Sequence, residues 1–348
     1  MKKLLFITTA VLLIAISLYT STLAQPKPAQ PGKPLELAVA WFGPATHPVT
    51  EKAAIPWGKQ IEKDSNGGIK INLYPGETLC PAKDTYEAVT SGIADIGIGY
   101  TGYNPGRFSL SEVLTMPFLN ITSGVVGTRV LMALYNKHAE VRAQYPGVKV
   151  IFLYTNSPAQ LHSAKKPVRK LDDMKGMTVR TPGSIAPLFT AIGASPASMP
   201  ASEAYEALGK GVVSATTFPW EAMKSYKISE VTKYHTELNH YVGPYYMIMN
   251  QARYDSLSPA LKKAIDHAGG EAWGVHFSKV YDEMDAYGKE LGKAPGHEII
   301  TLPADELAKF VAASKPVWDK WLADMQAKNL PGRAVLGSTL DLAKQLSK

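Results

Sequence analysis

The sequence has little cysteine: Cys80 is the only one in 348 residues. A single cysteine cannot form an internal disulfide, and it cannot form a zinc-binding cluster of cysteines. A single cysteine of this kind is more typical of a small buried residue than of a nucleophile. If the chain is exported, it must be held together by its hydrophobic core.

The sequence also lacks the short motifs of several enzyme classes. It contains no G-x-S-x-G, G-x-x-x-x-G-K-[ST] or H-E-x-x-H segment, so hydrolase, nucleotide-binding and zinc-enzyme interpretations lack their components. Gly97–Gly102 fits G-x-G-x-x-G, but the following Tyr103–Gly106 cannot begin the helix that would receive a pyrophosphate. His267 and His276 lie on different faces of a predicted helix, which argues against metal binding. We expect no catalytic residue, no metal and no cofactor.

Neither sign of charge dominates. The chain has 37 Lys and Arg against 30 Asp and Glu, a net charge of +7. The basic residues are spread along the chain and form no basic block, which argues against nucleic-acid binding. A small positive excess suits an anionic ligand.

The extended apolar run at the N-terminus, Leu4–Leu18, is short for a membrane-spanning helix. Lysines precede it and the small residues Ser21–Ala24 follow, which is the pattern of a secretory signal peptide. We predict that residues 1–24 are cleaved and that the protein is periplasmic; an uncleaved membrane anchor is the alternative. Residues 25–34, rich in proline, glutamine and lysine, predict a disordered lead.

The remaining sequence predicts an α/β protein. Its hydrophobic content of 45% is sufficient for the cores of two domains. The apolar segment Leu35–Phe42 is typical of a buried parallel strand. Ligands of open α/β sheets bind beyond the carboxyl ends of strands, so Trp41, Phe42 and His47 are candidates to line a pocket. A solvent-facing histidine at a helix start is an equal alternative for His47.

The segment 170–219 carries the most specific signals. Within Asp172–Gly183 (DDMKGMTVRTPG), a turn leads into a short alternating strand that places Arg180 near its end. A guanidinium there can bind a carboxylate through two parallel hydrogen bonds. From spacing alone, a surface arginine on a strand is the alternative interpretation.

Three further motifs follow this strand in order: Gly193–Pro196 (GASP), Ser202–Leu208 (SEAYEAL) and Gly211–Val213. Together with the first motif they resemble the solute-binding proteins of TRAP (tripartite ATP-independent periplasmic) transporters, of the dicarboxylate-binding DctP type. In that family the arginine of the first motif binds the carboxylate of the substrate, and Arg180 matches it.

The resemblance implies a two-domain periplasmic-binding-protein fold, with hinge strands and a long domain-spanning helix. We expect domain I to comprise residues 35–157 and 245–285, and domain II residues 158–244 and 286–348. The resemblance also implies a receptor, expected to be monomeric, that delivers an organic carboxylate to small and large integral membrane subunits. A secreted enzyme acting on a small carboxylic acid and a ligand-binding partner of a sensor are the alternatives.

Two positions depart from the family pattern. Gln160 stands where sialic-acid-binding members have a second arginine, which argues against sialic acid. Phe218, followed closely by Trp220, stands where many members have an asparagine that helps to hold the carboxylate. An aromatic ring there favours a ligand with an apolar or aromatic body. The alternative is that both aromatic residues fill the core.

Three tyrosines complete the predicted pocket. Tyr100 ends a glycine-rich strand at which backbone can approach a ligand closely. Tyr154 lies at the predicted crossing into the second domain. Tyr245 follows Gly243-Pro244, where the predicted strands are interrupted. The predicted substrate-binding residues are Arg180, Phe218, Gln160, Trp41, Phe42, His47, Tyr100, Tyr154, Trp220 and Tyr245.

Overall fold

The computed structural model describes residues 32–347. The predicted signal peptide, residues 1–24, lies outside the described residues, as do residues 25–31 of the predicted lead. The strands are β1 (Leu35–Trp41), β2 (Ile69–Tyr74), β3 (Ile96–Tyr100), β4 (Val148–Thr155), β5 (Gln160–Ser163), β6 (Thr178–Thr181), β7 (Ser195–Ser198), β8 (Ala215–Phe218), β9 (Tyr234–Glu237), β10 (Pro244–Asn250) and β11 (Glu298–Thr301). The α-helices are α1 (Ile55–Asp64), α2 (Thr85–Thr90), α3 (Gly124–Lys137), α4 (Ala139–Arg142), α5 (Ala186–Ala191), α6 (Ala204–Gly209), α7 (Ala222–Ser225), α8 (Gln251–Asp255), α9 (Pro259–His267), α10 (Gly270–Leu291), α11 (Ala304–Ala327) and α12 (Gly332–Leu346).

The strands form two separate sheets, each at the centre of one lobe. The first lobe has the strand order β2-β1-β3-β10-β4, and the second has β11-β9-β5-β8-β6-β7. In both lobes the sheet combines parallel strands joined by helices with one antiparallel strand, β10 in the first lobe and β5 in the second. The predicted two-domain α/β fold is confirmed.

Two antiparallel segments connect the lobes. The chain crosses into the second lobe between β4 and β5 and returns between β9 and β10. The two crossing segments are hydrogen-bonded to each other, from Ala159 N–H to the Tyr241 carbonyl at 2.9 Å and from Gly243 N–H to the Asn156 side chain at 2.7 Å. These segments are the predicted hinge strands.

Helix α10 packs on both lobes. A Cβ atom on Gly274 would lie 2.6 Å from the Leu153 carbonyl oxygen of the first lobe. A Cβ atom on Gly288 would lie 1.9 Å from the Trp220 carbonyl oxygen of the second lobe. The helix therefore approaches both lobes at distances that only glycine allows. It is the predicted domain-spanning helix, and it starts at Gly270, whose φ of +76° separates it from α9.

The C-terminal helix differs from the predicted division of the chain. We assigned all of residues 286–348 to domain II, but α12 packs against α3 of the first lobe. Its buried residues Val335, Thr339 and Ala343 recur every four positions and form one face of the helix, which explains this packing. Apart from this helix, we retain the predicted division as a proposal.

Candidate ligand-binding site

A cavity lies between the two lobes, beyond the carboxyl ends of β1, β3, β6 and β8. About 380 Å³ is free of protein atoms there, a volume that includes space open to solvent. Its walls are predominantly aromatic, with a small number of polar groups, which is typical of a small-molecule site. The lining residues are His47, Tyr100, Tyr103, Asn156, Arg180, Pro182, Ala201, Phe218, Pro219, Glu221, Tyr226, Tyr241, Tyr245 and Tyr281.

Arg180 provides the cavity with a buried cation. Its side chain, near the end of strand β6, which lies between β8 and β7, is only 1% exposed. Its Nε and Nη2 atoms donate to the Met199 carbonyl oxygen at 3.1 and 2.8 Å, and its guanidinium lies 4.4 Å from the centre of the Phe218 ring. The remaining nitrogen, Nη1, is buried and has no hydrogen-bond partner. A buried donor left unpaired costs about 1–3 kcal/mol, so Nη1 is available to an anionic ligand.

Tyrosines of the first lobe form the opposite wall. Tyr100 packs against Tyr103 and Tyr245, with ring centres 5.0 and 4.8 Å apart. The Tyr100 hydroxyl has no partner, and the Tyr103 hydroxyl accepts a hydrogen bond from Ala201 N–H at 2.9 Å, which leaves its proton available. Burial raises the pKa of both hydroxyls, so both stay neutral donors beside Arg180.

His47 and Glu221 form a second polar group in the cavity. Val49 N–H donates to His47 Nδ1 at 3.1 Å, so the neutral ring carries its proton on Nε2. This Nε2 lies 3.6 Å from Glu221 Oε2, and Ser225 Oγ donates to the same oxygen at 2.5 Å. Burial lowers the pKa of His47 to about 3 and raises the pKa of Glu221 to about 7. Near neutral pH, His47 is therefore uncharged and Glu221 is partly protonated.

Five of the predicted substrate-binding residues line the cavity together: Arg180, Phe218, His47, Tyr100 and Tyr245. Phe218 stacks on Tyr226 at 5.6 Å and faces the Arg180 guanidinium, so it forms a wall of the cavity.

The first lobe contains three other predicted residues, which lie behind the lining. Trp41 Nε1 donates to Thr50 Oγ1 at 2.8 Å. Phe42 and Tyr154 pack against Tyr245, with ring centres 6.1 and 5.0 Å away. These three aromatic residues support the tyrosine wall without lining the cavity.

Gln160 and Trp220 have structural positions in the second lobe. Gln160 Oε1 accepts hydrogen bonds from Leu238 N–H at 2.8 Å and Asn239 N–H at 3.0 Å, which ties down one crossing segment. Trp220 packs against His162 and His235 in the core, with ring centres 5.2 and 5.4 Å away. The surroundings of Trp220 are therefore those of a core residue, which was the alternative interpretation of this position.

Several lining residues were not among the predicted substrate-binding residues. Tyr281 comes from α10 and Tyr226 follows α7, so neither lies at a strand end where the sequence argument looked. Glu221 directly follows Phe218-Pro219-Trp220. An acidic residue next to such an apolar strand end is the one feature of the sequence that could have identified it as a lining residue.

The described residues show neither a metal site nor a membrane span. Within residues 32–347, no group of three His, Cys, Asp or Glu is placed to hold a metal ion. In the same range, no helix is long and apolar enough to cross a membrane. Cys80 is half-buried, and burial raises the pKa of its thiol, which disfavours a nucleophilic thiolate.

Comparison with known proteins places the chain among solute receptors. The model of the DctP family, described as bacterial extracellular solute-binding protein family 7, matches residues 39–324. A TRAP solute-binding protein of a marine metagenome, specific for aromatic acid ligands and bound to metahydroxyphenylacetate, is similar with 28% identity and a TM-score of 0.85 over 90% of this chain and 100% of the other. A TRAP solute-binding protein of Rhodoferax ferrireducens T118 with copurified benzoate is 27% identical, with a TM-score of 0.85 over 90% and 98%.

A curated relative agrees with these structures. The C4-dicarboxylate-binding periplasmic protein DctP of Rhodobacter capsulatus is 26% identical over 80% of this chain and 84% of its own. The family match spans most of the chain and includes Arg180 and the other residues that line the cavity. The protein therefore belongs to bacterial extracellular solute-binding protein family 7, the DctP-type solute receptors of TRAP transporters.

Proposed function

We propose that this protein captures an organic monocarboxylate with an aromatic or apolar body in the cavity between its lobes. It delivers this ligand, from the periplasm, to the small and large integral membrane subunits of a TRAP transporter. The observation that carries the proposal is the buried, unpartnered Nη1 of Arg180 in an otherwise largely aromatic cavity.

Arg180 supplies the anchor for the carboxylate. Its Nε and Nη2 are fixed by the Met199 carbonyl, so the guanidinium is held in place before a ligand arrives. A carboxylate at Nη1 gains a charge-assisted hydrogen bond, and the neutral hydroxyls of Tyr100 and Tyr103 can donate further bonds. The cost of the unpaired donor is then removed.

The aromatic walls determine which carboxylates fit. Phe218 and Tyr226 stack on each other on the side of the second lobe, and Tyr245 and Tyr100 lie on the side of the first. Rings bury a large apolar area against a flat ligand, whereas a polyhydroxylated acid would leave hydroxyl groups unpaired beside them. The two similar TRAP receptors that carry benzoate and metahydroxyphenylacetate support this choice.

Closure of the lobes separates the ligand from water. Two hydrogen bonds join the lobes beside the cavity, from Ala201 N–H to the Tyr103 hydroxyl at 2.9 Å and from Ser202 Oγ to Glu77 Oε1 at 2.7 Å. The pairing of Arg180 with a carboxylate strengthens as the surrounding dielectric falls. Hinge motion at the crossing segments therefore couples ligand capture to closure.

A ligand screen tests the proposal. Thermal-shift and calorimetric titrations of the purified protein would compare aromatic monocarboxylates, aliphatic mono- and dicarboxylates, keto acids and sugar acids. We expect the aromatic monocarboxylates to bind most tightly and to be recovered unchanged. A preference for sugar acids, or chemical conversion of the ligand, would contradict the proposal.

Substitution of Arg180 tests the anchor. Arg180→Ala should weaken binding by about 2–5 kcal/mol, because it removes the cationic partner of a desolvated carboxylate. Arg180→Lys should also bind weakly, since an ammonium cannot reproduce the planar guanidinium. The matched control is Arg333→Ala, at an exposed arginine of α12. Wild-type affinity in Arg180→Ala would remove the carboxylate anchor.

A further inference from the structure

The cavity has a second polar group that a carboxylate at Arg180 leaves unused. His47 comes from the first lobe and Glu221 from the second, and both side chains line the cavity. Both are almost fully buried, with exposures of 1% and 3%. Each has one partner, Val49 N–H for His47 Nδ1 and Ser225 Oγ for Glu221 Oε2, and buried polar groups normally use their other donors and acceptors as well.

The separation of the two side chains leaves a place for a third group. His47 Nε2 and Glu221 Oε2 are 3.6 Å apart, which is too long for a hydrogen bond between them. Each atom can still bond to an oxygen that lies to one side of the pair, at about 2.8 Å from both. His47 offers a donor, because Val49 N–H occupies Nδ1 and fixes the ring proton on Nε2. Glu221 offers an acceptor.

A hydroxyl group matches this pair. Its oxygen accepts from His47 Nε2–H while its proton is donated to Glu221. A second carboxylate fits the ionised form of Glu221 poorly, because it has no proton to donate and would lie beside a negative charge. An ammonium group fits poorly as well, because it cannot accept from His47.

Aromatic side chains connect the two polar groups of the cavity. The Arg180 guanidinium lies over Phe218, Phe218 stacks on Tyr226, and the Tyr226 ring lies 5.6 Å from the His47 ring. A ligand that contacts both polar groups therefore lies along the Phe218–Tyr226 stack. A ring bearing one carboxylate and one hydroxyl has this distribution of polar and apolar groups.

The surroundings fix Glu221 in place. Ser225 Oγ donates to its carboxylate, and its backbone N–H donates to Asp285 of α10 at 3.0 Å. His47 is held in turn by Val49 and by edge contacts with Tyr226 and Tyr281. A site whose donor and acceptor are both fixed discriminates strongly against a ligand that lacks the matching group.

We propose that His47 and Glu221 form a subsite for a hydroxyl group and that the ligand is a hydroxylated aromatic monocarboxylate. This inference rests on the proposed function, because it presumes that Arg180 binds the carboxylate.

The first test compares ligands on the wild-type protein. Calorimetry would measure the affinities of benzoate, the three hydroxybenzoates, and the fluorobenzoates, which resemble the hydroxybenzoates in shape but cannot donate. We expect at least one hydroxybenzoate to bind about tenfold or more tightly than both benzoate and the fluorobenzoate of the same substitution pattern. If each hydroxybenzoate binds with the same affinity as benzoate and as its matching fluorobenzoate, the proposed hydroxyl subsite is wrong.

The second test assigns the effect to the residues. In Glu221→Gln, the ratio between the affinities of that hydroxybenzoate and its fluorobenzoate should fall several-fold, since an amide cannot replace the acidic acceptor without rearranging its hydrogen bonds. The control Glu283→Gln, at an exposed position of α10, should keep the wild-type ratio. An unchanged ratio in Glu221→Gln would overturn the assignment.

The subsite can fail without failure of the proposed function. If benzoate and the hydroxybenzoates bind equally and all lose affinity in Arg180→Ala, the carboxylate anchor stands and the hydroxyl subsite is wrong. If no aromatic monocarboxylate binds, the proposed function itself is wrong.

Discussion

Glu221 is a lining residue of the cavity whose charge changes near neutral pH. Burial raises its pKa to about 7. The groups that face it are His47, whose pKa burial lowers to about 3, Asp285, whose pKa burial raises, and the phenols of Tyr226 and Tyr281, whose pKa values are raised well above their usual range. His47 and the two tyrosines are therefore neutral where Glu221 titrates, and burial shifts the pKa of the Asp285 carboxyl in the same direction as that of Glu221.

This titration predicts a pH dependence of ligand binding. As the pH rises through about 7, Glu221 ionises and adds a negative charge to a closed cavity that must accept an anion. The affinity for benzoate, which has no hydroxyl group to donate to the ionised Glu221, should therefore decrease at alkaline pH, by at most about tenfold per pH unit above 7, with proton uptake on binding. Calorimetry in buffers of different ionisation enthalpy measures both quantities.

Glu221→Gln removes the titrating group and should flatten this profile. If the wild-type protein and the variant lose affinity equally between about pH 6 and about pH 8.5, another group is responsible. That outcome would contradict the assignment to Glu221.

The predictability of the cavity differs from residue to residue. Arg180 could be named because it belongs to a local motif whose strand and turn are encoded by neighbouring residues. Glu221 could not, because its role depends on His47, which comes from the other lobe. Trp220 was assigned to the pocket because aromatic residues suit both ligand walls and cores, and only its contacts with His162 and His235 distinguish the two.

At the scale of single elements, α10 packs on both lobes and places Tyr281 and Asp285 at the site. A glycine with helical neighbours normally lowers stability relative to alanine. Gly288 is an exception, because an added Cβ would lie 1.9 Å from the Trp220 carbonyl oxygen. Backbone on both sides leaves no flexible group that can move away.

A pair of glycine substitutions tests this packing. Gly288→Ala should lower the free energy of unfolding by about 1–3 kcal/mol, because the helix must shift away from the second lobe. Gly337→Ala in α12 should raise it by about 0.5–1 kcal/mol, since Gly337 is exposed and its Cβ would meet nothing within 4 Å. Urea unfolding measures both. Equal stabilisation by the two substitutions would show that α10 is not tightly packed at Gly288.

The sequence predicted long elements better than their packing. The helical pattern of residues 260–291 contains glycines at 269, 270 and 274 and favours an interruption at both places. The helix breaks at Gly270, which adopts a positive φ, whereas α10 continues through Gly274. The amphipathic pattern of residues 124–144 favours one helix, whereas His138 is extended between α3 and α4. The packing of α12 on α3 could not be predicted, because its apolar face could pack on either lobe and the choice depends on the surface that α3 offers.

At the scale of the whole molecule, function depends on two lobes that meet over one cavity. The alternation of strands and helices indicates the α/β class, and the resemblance supplied the hinge. The contacts between the lobes could not be predicted, because they join residues far apart in the chain. The Ser202–Glu77 pair is one such contact, in which a partly exposed hydrogen bond links the lobes outside the cavity lining.

Ser202→Ala tests whether this contact stabilises the closed arrangement. The substitution removes one exposed hydrogen bond, and the net contribution of a hydrogen bond is typically about 1 kcal/mol. The dissociation rate of an aromatic monocarboxylate should therefore rise about two- to tenfold, with a smaller change in the association rate, because the bond forms only after the lobes have met. Stopped-flow fluorescence measures both rates. Ser256→Ala is the control, since its hydroxyl bonds to the Arg253 carbonyl within the first lobe. Small-angle scattering should show that the ligand-free Ser202→Ala variant is at least as extended as the wild type. Equal dissociation rates in Ser202→Ala and Ser256→Ala would mean that closure is held by contacts inside the cavity alone.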